Sequence, residues 1–286
     1  MLRRFILPLL LLLAAADSSR AAEPQNIRVL TFNLRYITPG DHGTRMWSER
    51  RDAVGQLIAS DGADFLCVQE AFRSMLDDIH ARVPDYGEVG VGREDGKTQG
   101  EYSAILFRKE LWELRQSGTF WLSATPDLPA SCSWGNHVTR ICTWAEFRHK
   151  ISGKELFVFN SHFDHESQPA REHSAALVVQ RINSRSPQLP VIFTGDLNTT
   201  PDNTAIATIL QGPPTLAEAW TSLHHDVTAD KAGTFHDFTG STGGPHIDYI
   251  FSSPGLKTNS CEIIHTHDEG RYPSDHFPVR ATLLLE

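Results

Sequence analysis

The apolar run Val191-Ile192-Phe193 meets Thr194-Gly195-Asp196-Leu197-Asn198, a buried strand delivering a carboxylate and an amide to its own end. Two apart on an extended backbone, Asp196 and Asn198 project to the same side. One can take a proton while the other orients an oxygen. A Gly-Asp-x-Asn is also an ordinary strand-ending turn, so these residues carry weight only in company. The company exists. Ile27 to Leu34 carries Asn33, Asp64 to Glu70 ends in a carboxylate, and Leu156 to His165 runs into His162. The segment His246 to Phe251 holds Asp248, and Asp275-His276 stands just ahead of the last strand. Each has a plain structural reading: Asn33 as a turn former, Glu70 as a helix cap, Asp-His as a surface pair. Together they place carboxylates, amides and imidazoles at strand ends too consistently for turn chemistry alone.

The elements that must position them follow from periodicity. Helical spacing predicts helices over Trp47 to Ser60, Ser74 to Val83, Ala170 to Ser184 and Asp202 to Leu210, with a short one over Leu216 to Ser222. In the first of these, Arg50, Arg51, Asp52 and Gln56 are assigned to the wet side. Further strands are read at Tyr102 to Phe107, behind Glu101, and at Ile141 to Phe147, which Arg140 leads. An Arg there is either solvated or grips an anion. The long irregular stretch Leu122 to Thr139 reads as a functional rim. His162 and His165, three apart in an extended segment, are expected on opposite faces and not as a zinc pair.

Met1 to Ala16 has the charged start and short apolar core of a secretory signal, with small residues around Ser19-Arg20-Ala21. The expected division is therefore a signal peptide over 1–21 and one catalytic domain over 22–286, exported to the periplasm or medium. The formal net charge is -9. Loss of Arg3, Arg4 and Arg20 against one acid, Asp17, makes the mature chain more acidic still, which argues against sequence-blind nucleic-acid binding. Four cysteines occur without a Cys-x-x-Cys pair, so cysteine metal ligation is not expected. Cys67 sits in an apolar run and reads as core, and the preferred bridge is Cys132 with Cys142, across a short polar segment.

With Asn33, Glu70, His162, Asp196, Asn198, Asp248, Asp275 and His276 in this order, the chain resembles the endonuclease/exonuclease/phosphatase superfamily from about Ile27 to the C-terminus. Trp47-Ser48-Glu49-Arg50-Arg51, Gly100-Glu101-Tyr102-Ser103, Thr119-Phe120-Trp121-Leu122-Ser123 and Asn160-Ser161-His162-Phe163-Asp164-His165 look like its exported bacterial branch, near the deadenylase-like members. The resemblance implies an α+β fold, a four-layer α/β/β/α sandwich of two mainly antiparallel sheets flanked by helices. It implies Asn33 and Glu70 as ligands to Mg²⁺, or Mn²⁺ in its place, with Asp275 close to the ion or holding it through water. Asp196 would activate the attacking water, Asn198 steady the phosphoryl group, and His276 bind a phosphoryl oxygen with Asp248 fixing its ring. His162 matches the other site histidine, with Glu101 hydrogen-bonded to it. Expected substrate contacts are Arg140, Tyr102 and His236. His246 stands where the branch pattern leads one to expect Arg.

The expected activity is in-line attack of an activated water on a phosphodiester or phosphomonoester of a small or carbohydrate-bearing substrate. A secreted endonuclease is the first alternative, with nucleic acid a disfavoured substrate; a sphingomyelinase-like phospholipase and a non-catalytic phosphate- or sugar-binding protein follow. A monomer without membrane insertion after signal removal is expected.

Overall fold

The computed structural model describes residues 24–225 and 232–286. The expected signal peptide and the start at Ala22 lie outside the described residues. In chain order the elements are β1 (Gln25–Asn33), α1 (Trp47–Asp61), β2 (Phe65–Ala71), α2 (Arg73–Arg82), β3 (Tyr86–Val89), β4 (Tyr102–Arg108), β5 (Trp112–Trp121) and β6 (Ile141–His149). They continue with β7 (Glu155–His162), α3 (Gln168–Asn183), β8 (Val191–Asp196), α4 (Thr204–Gln211), β9 (Ala217–Glu218), β10 (Asp248–Ser252), β11 (Leu256–Ile263) and β12 (Val279–Leu285).

Two six-stranded sheets form, in the orders β11-β12-β1-β2-β4-β3 and β5-β6-β7-β8-β10-β9. Pairing is antiparallel except for β1 with β2 and β7 with β8. Each parallel pair needs a crossover, supplied by α1 in the first sheet and α3 in the second. The four-layer sandwich expected from the resemblance is therefore present. Ile27, Val29, Phe65, Phe147, Val158 and Ile250 fill the space between the sheets. Leu30, Phe32 and Leu66 face Val54, Ile58, Met75 and Ile79 under the first helical layer, and Phe159, Phe193 and Phe251 face Val178, Ile182 and Ile206 under the second.

Helix ends fall where the side chains cap them. Gly62, in a left-handed conformation, closes α1 through its N–H to the Ile58 carbonyl at 3.1 Å. The Ser167 hydroxyl accepts from the Ala170 N–H at the start of α3, and the Asn203 side chain accepts from the Ala205 N–H at the start of α4.

The structure corrects three expectations. No helix forms over Leu216 to Ser222: Ala217–Glu218 pairs with β10 at the sheet edge, and a turn follows in which the Glu218 carboxylate accepts from the Trp220 and Thr221 N–H groups. Arg50 is not on the wet side. It is 2% exposed, and its guanidinium donates to the carbonyls of Leu34, Arg35, Arg45 and Pro273, tying the end of β1 to the loop before β12. Cys132 and Cys142 are not bridged, and all four cysteines are free. Cys142 lies in the core under the second helical layer, whereas Cys132 is exposed on the rim with its thiol on the Asn136 carbonyl.

Candidate active site

The ends of β1, β2, β7, β8 and β10 and the segment before β12 meet at a cleft of about 720 Å³. Its walls include Arg35, Glu70, Arg93, Glu101, Arg140, His162, His165, Asp196, Asn198, Asp275 and His276.

Asp196 sits at the centre. It is 1% exposed, and Oδ1 accepts the Asn198 N–H at 2.9 Å while Oδ2 accepts from Asn33 Nδ2 at 2.8 Å. Oδ2 also stands 3.6 Å from His162 Nε2 and 3.8 Å from His276 Nε2, so the carboxylate lies between two imidazoles. Gly195 makes this placement feasible: with φ at +152°, a side chain there would drive its Cβ to 2.1 Å from the Ser161 carbonyl oxygen. Burial, with the neighbouring Asp248 charge, pushes Asp196 up to about 7. A carboxylate of that basicity suits proton uptake from water near neutral pH.

The two imidazoles are held in opposite ways. His276 Nδ1 is 2.8 Å from Asp248 Oδ2. Burial alone would lower the proton affinity of His276, yet the carboxylates of Asp248, Asp196 and Asp275 outweigh it and carry the group well above its ordinary value. His162 Nδ1 instead faces Arg140 Nη1 at 2.9 Å. Burial, then the positive charges of Arg140 and Arg93, hold His162 well below its ordinary value. The surroundings thus favour the charged form of His276 and the neutral form of His162.

On the opposite sheet, Asn33 Nδ2 donates to Glu70 Oε1 at 3.0 Å, and Glu70 Oε2 accepts the Tyr36 N–H at 2.8 Å. Asp275 lies beside Arg35, with Oδ2 at 3.5 Å from Nη1. Burial, then the Glu70 charge, raise the proton affinity of Asp275. The donor set fits a hard cation, since Glu70, Asp196 and Asp275 offer oxygens in a site already burdened with buried negative charge, whereas Asn33, expected as a ligand, turns Nδ2 to Glu70 and Asp196 and accepts the Arg35 N–H with Oδ1 at 2.9 Å. Two groups of side chains among the described residues are close enough to share one ion: Glu70 with His162 and Asp196, and Asp196 with Asp248 and His276. Asp275 belongs to neither.

The structure moves several residues away from their expected roles. Glu101 does not bond His162. Its Oε2 is 3.9 Å from Nδ1 and is paired with Arg93 at 2.7 Å, because the β6–β7 pairing brings Arg140 against the ring instead. Tyr102 is buried with its hydroxyl on the Lys97 carbonyl and takes no part in lining the cleft. His236 is buried, stacked on Phe277 with ring centroids 3.9 Å apart, and its backbone N–H bonds the Asp275 carbonyl, so it supports Asp275 from behind. His165 is not on the far face from His162. The strand ends at His162, the chain turns through Phe163-Asp164, and both rings meet Arg140, His165 Nδ1 at 2.9 Å from Nη2. His246, too, is buried and bonds the Ala232 carbonyl.

Arg35, Arg93, Arg171, Thr200 and Asn203 line the cleft without having been singled out. Arg35 had a signal, two residues past Asn33 at a strand exit. The others come from loops and helix starts that no periodicity aims at a site.

The chain matches the model of the Endonuclease/Exonuclease/phosphatase family over residues 30–276. A solved endonuclease/exonuclease/phosphatase structure from Bacteroides vulgatus is 36% identical and superposes with a TM-score of 0.85, covering 92% of this chain and 100% of that one. A Bacteroides thetaiotaomicron mannosyl-6-phosphatase is 33% identical with a TM-score of 0.81, covering 90% of this chain and 99% of that one. An uncharacterised protein of Acanthamoeba polyphaga mimivirus is 28% identical over 182 residues, which is 60% of this chain and 67% of the relative. With the constellation around Asp196 in place and the match running nearly the length of the described fold, the chain belongs to the endonuclease/exonuclease/phosphatase family and is a hydrolase of phosphoester bonds.

Proposed function

We propose that the protein is an exported, Mg²⁺-dependent phosphohydrolase whose preferred substrate is a phosphomonoester on a sugar or similar small hydroxylated carrier. The observation that carries this reading is Asp196, with His162 Nε2 at 3.6 Å and His276 Nε2 at 3.8 Å from its Oδ2, at the floor of a cleft of about 720 Å³. The similarity to a mannosyl-6-phosphatase favours the monoester, and the acidic charge of the chain disfavours a nuclease.

Glu70 and Asp275 would hold the cation, with Asp196 in reach of the same ion and Asn33 tied to Glu70 and Asp196 through Nδ2. When bound, Mg²⁺ supplies neutralisation of phosphoryl oxygens, and Mn²⁺ can stand in for it. The chain's own residues do the rest. Asp196 takes the proton of the attacking water, and the imidazolium of His276, kept charged by Asp248, binds a phosphoryl oxygen. His162, kept neutral by burial and Arg140, stands on the other side of Asp196 with Nε2 2.9 Å from the Asn198 side-chain nitrogen, and the pair would steady the phosphoryl group. Asn198 keeps Asp196 Oδ1 occupied through its backbone, so that Oδ2 faces both rings.

The test is hydrolysis by the protein beginning at Ala22, on matched sugar phosphates, phosphodiesters and duplex DNA, with Mg²⁺, Mn²⁺ or chelator, and with Asp196→Ala alongside. Chelator-sensitive release of phosphate from a sugar monoester, abolished in the folded variant, is the expected result. Turnover unchanged by Asp196→Ala sinks the mechanism, and faster cleavage of DNA than of any monoester replaces the substrate class. Export is checked by fractionating cells that express the full chain; recovery of the uncleaved protein in the cytoplasm overturns it.

A further inference from the structure

Glu70 reaches the cleft from an irregular backbone. Its φ is +62°, in the left-handed region, and the β2–β4 register breaks at the same place: Val68 pairs with Ala104 and Ala71 with Tyr102, so two residues oppose one. Such a bulge ends the alternation of the strand and turns Glu70 out toward Asn33 and Tyr36. A left-handed non-glycine residue persists only where the surroundings hold it.

What holds it comes from the other sheet. Asn160, on β7 and fully buried, donates through Nδ2 to the Val68 carbonyl at 2.9 Å and to the Ala104 carbonyl at 2.8 Å. These are the two residues that face each other where the register breaks. Its Oδ1 accepts from Gln69 Nε2 at 2.7 Å and from the Thr194 hydroxyl at 3.2 Å, and Gln69 Nε2 reaches Thr31 Oγ1 at 3.0 Å. Both hydrogens and both lone pairs of the amide are thus used, in a dry core where leaving any one unmatched is costly. Asn160 lies two residues before His162 on β7, Thr194 two before Asp196 on β8, and Gln69 one before Glu70 on β2.

We infer that Asn160 is a positioning residue: by bonding the carbonyls of the β2–β4 bulge and the Gln69 side chain from the opposite sheet, it fixes the Glu70 carboxylate relative to His162 and Asp196. Its bearing on cation binding rests on the reading of Glu70 as a ligand given above. Its hold on Glu70 does not.

The probe that separates the two is the Tyr36 amide, which donates to Glu70 Oε2 at 2.8 Å and is read with chelator present. Asn160→Leu keeps the size and removes all four bonds. Asn160→Asp keeps the acceptors and removes the donations to Val68 and Ala104, and it serves if the leucine variant does not fold. Val158→Ala, on the same strand and in the core between the sheets, is the control for general loosening. In the Asn160 variants the Tyr36 ¹H–¹⁵N resonance should shift and its hydrogen exchange quicken by roughly tenfold, with Mn²⁺ affinity falling by a similar factor of about ten, equal to about 1.4 kcal/mol. Val158→Ala should leave both within about twofold while lowering the melting temperature, because lost packing spreads over the core rather than acting at one carboxylate. An unmoved Tyr36 amide in a folded Asn160 variant, or an equal change in Val158→Ala, overturns the inference. Absence of Mn²⁺ binding in the wild-type protein removes the cation reading alone, and Tyr36 still decides the positioning role.

Discussion

The two walls of the cleft are built alike but anchored by groups of opposite charge. Each presents a buried imidazole whose Nε2 stands within 4 Å of the same Asp196 oxygen, and each ring has its Nδ1 anchored. One anchor is the Arg140 guanidinium, the other the Asp248 carboxylate. The difference teaches that burial lowers the proton affinity of both rings, and that only the ring with a carboxylate on its far nitrogen overcomes it. A cationic ring beside Asp196 suits a phosphoryl oxygen, while a neutral ring opposite adds no second positive charge to a site proposed to take a cation.

Substitutions can break this contrast, beginning with the group both walls share. Asp196→Asn should lower kcat by about 10³- to 10⁴-fold through loss of the base, measured by steady-state phosphate release. His276→Gln should cost about 10²- to 10³-fold, as removal of a charged donor to the developing negative charge does elsewhere. Asp248→Asn sharpens the comparison, with an expected loss of about 10²-fold in kcat. Without the carboxylate His276 keeps its proton less tightly, so the alkaline limb of the kcat profile should move to lower pH. An unshifted limb would separate Asp248 from the charge of the ring.

Arg140→Met acts on the other wall. With the guanidinium gone, His162 should titrate closer to its ordinary value in an NMR pH series while kcat falls about tenfold, the scale of a lost supporting contact. The smallest effect belongs to an ion cluster away from the cleft. Burial opposes charging Glu88, but hydrogen bonds from His80 and Arg73 outweigh it and hold the carboxylate at about 2. A depressed carboxylate stabilises the fold above its unfolded value, and that contribution disappears as pH falls from about 4.5 toward 2. Glu88→Gln should therefore melt lower than wild type at pH 6, by the equivalent of about 1 kcal/mol or less given its partial exposure, with the gap closing by pH 2 and activity unchanged.

Much of this was legible in the sequence because apolar runs ending in chemistry mark buried strands wherever they occur. Val191 to Phe193 ahead of Asp196 and Phe157 to Phe159 ahead of His162 are such cases, and the structure puts both ends in the cleft. Partners across strands were not legible. Glu101 lost its expected contact with His162 to Arg140 through the pairing of Cys142 with Ser161, a tertiary fact that spacing along the chain does not contain. Arg50 reads as solvent-facing from helical periodicity, yet the free carbonyls of two loops drew it inward. Asn160 carried a signal that apolar patterning passes over: an amide inside a run of aromatic residues, which a core tolerates only when every bond is met.

The register of the second sheet has a further meaning. His162 pairs with Asp196 across β7–β8, and Asp196 with Asp248 across β8–β10, so the three stand on one rung of three adjacent strands. Strands lie about 4.7–4.9 Å apart, a distance fixed by the peptide hydrogen bond. The pitch of this row is thus a constant of the sheet and belongs to no loop. Loops at the mouth can be exchanged, and the leaving group with them, while the spacing that fits a phosphoryl group stays the same.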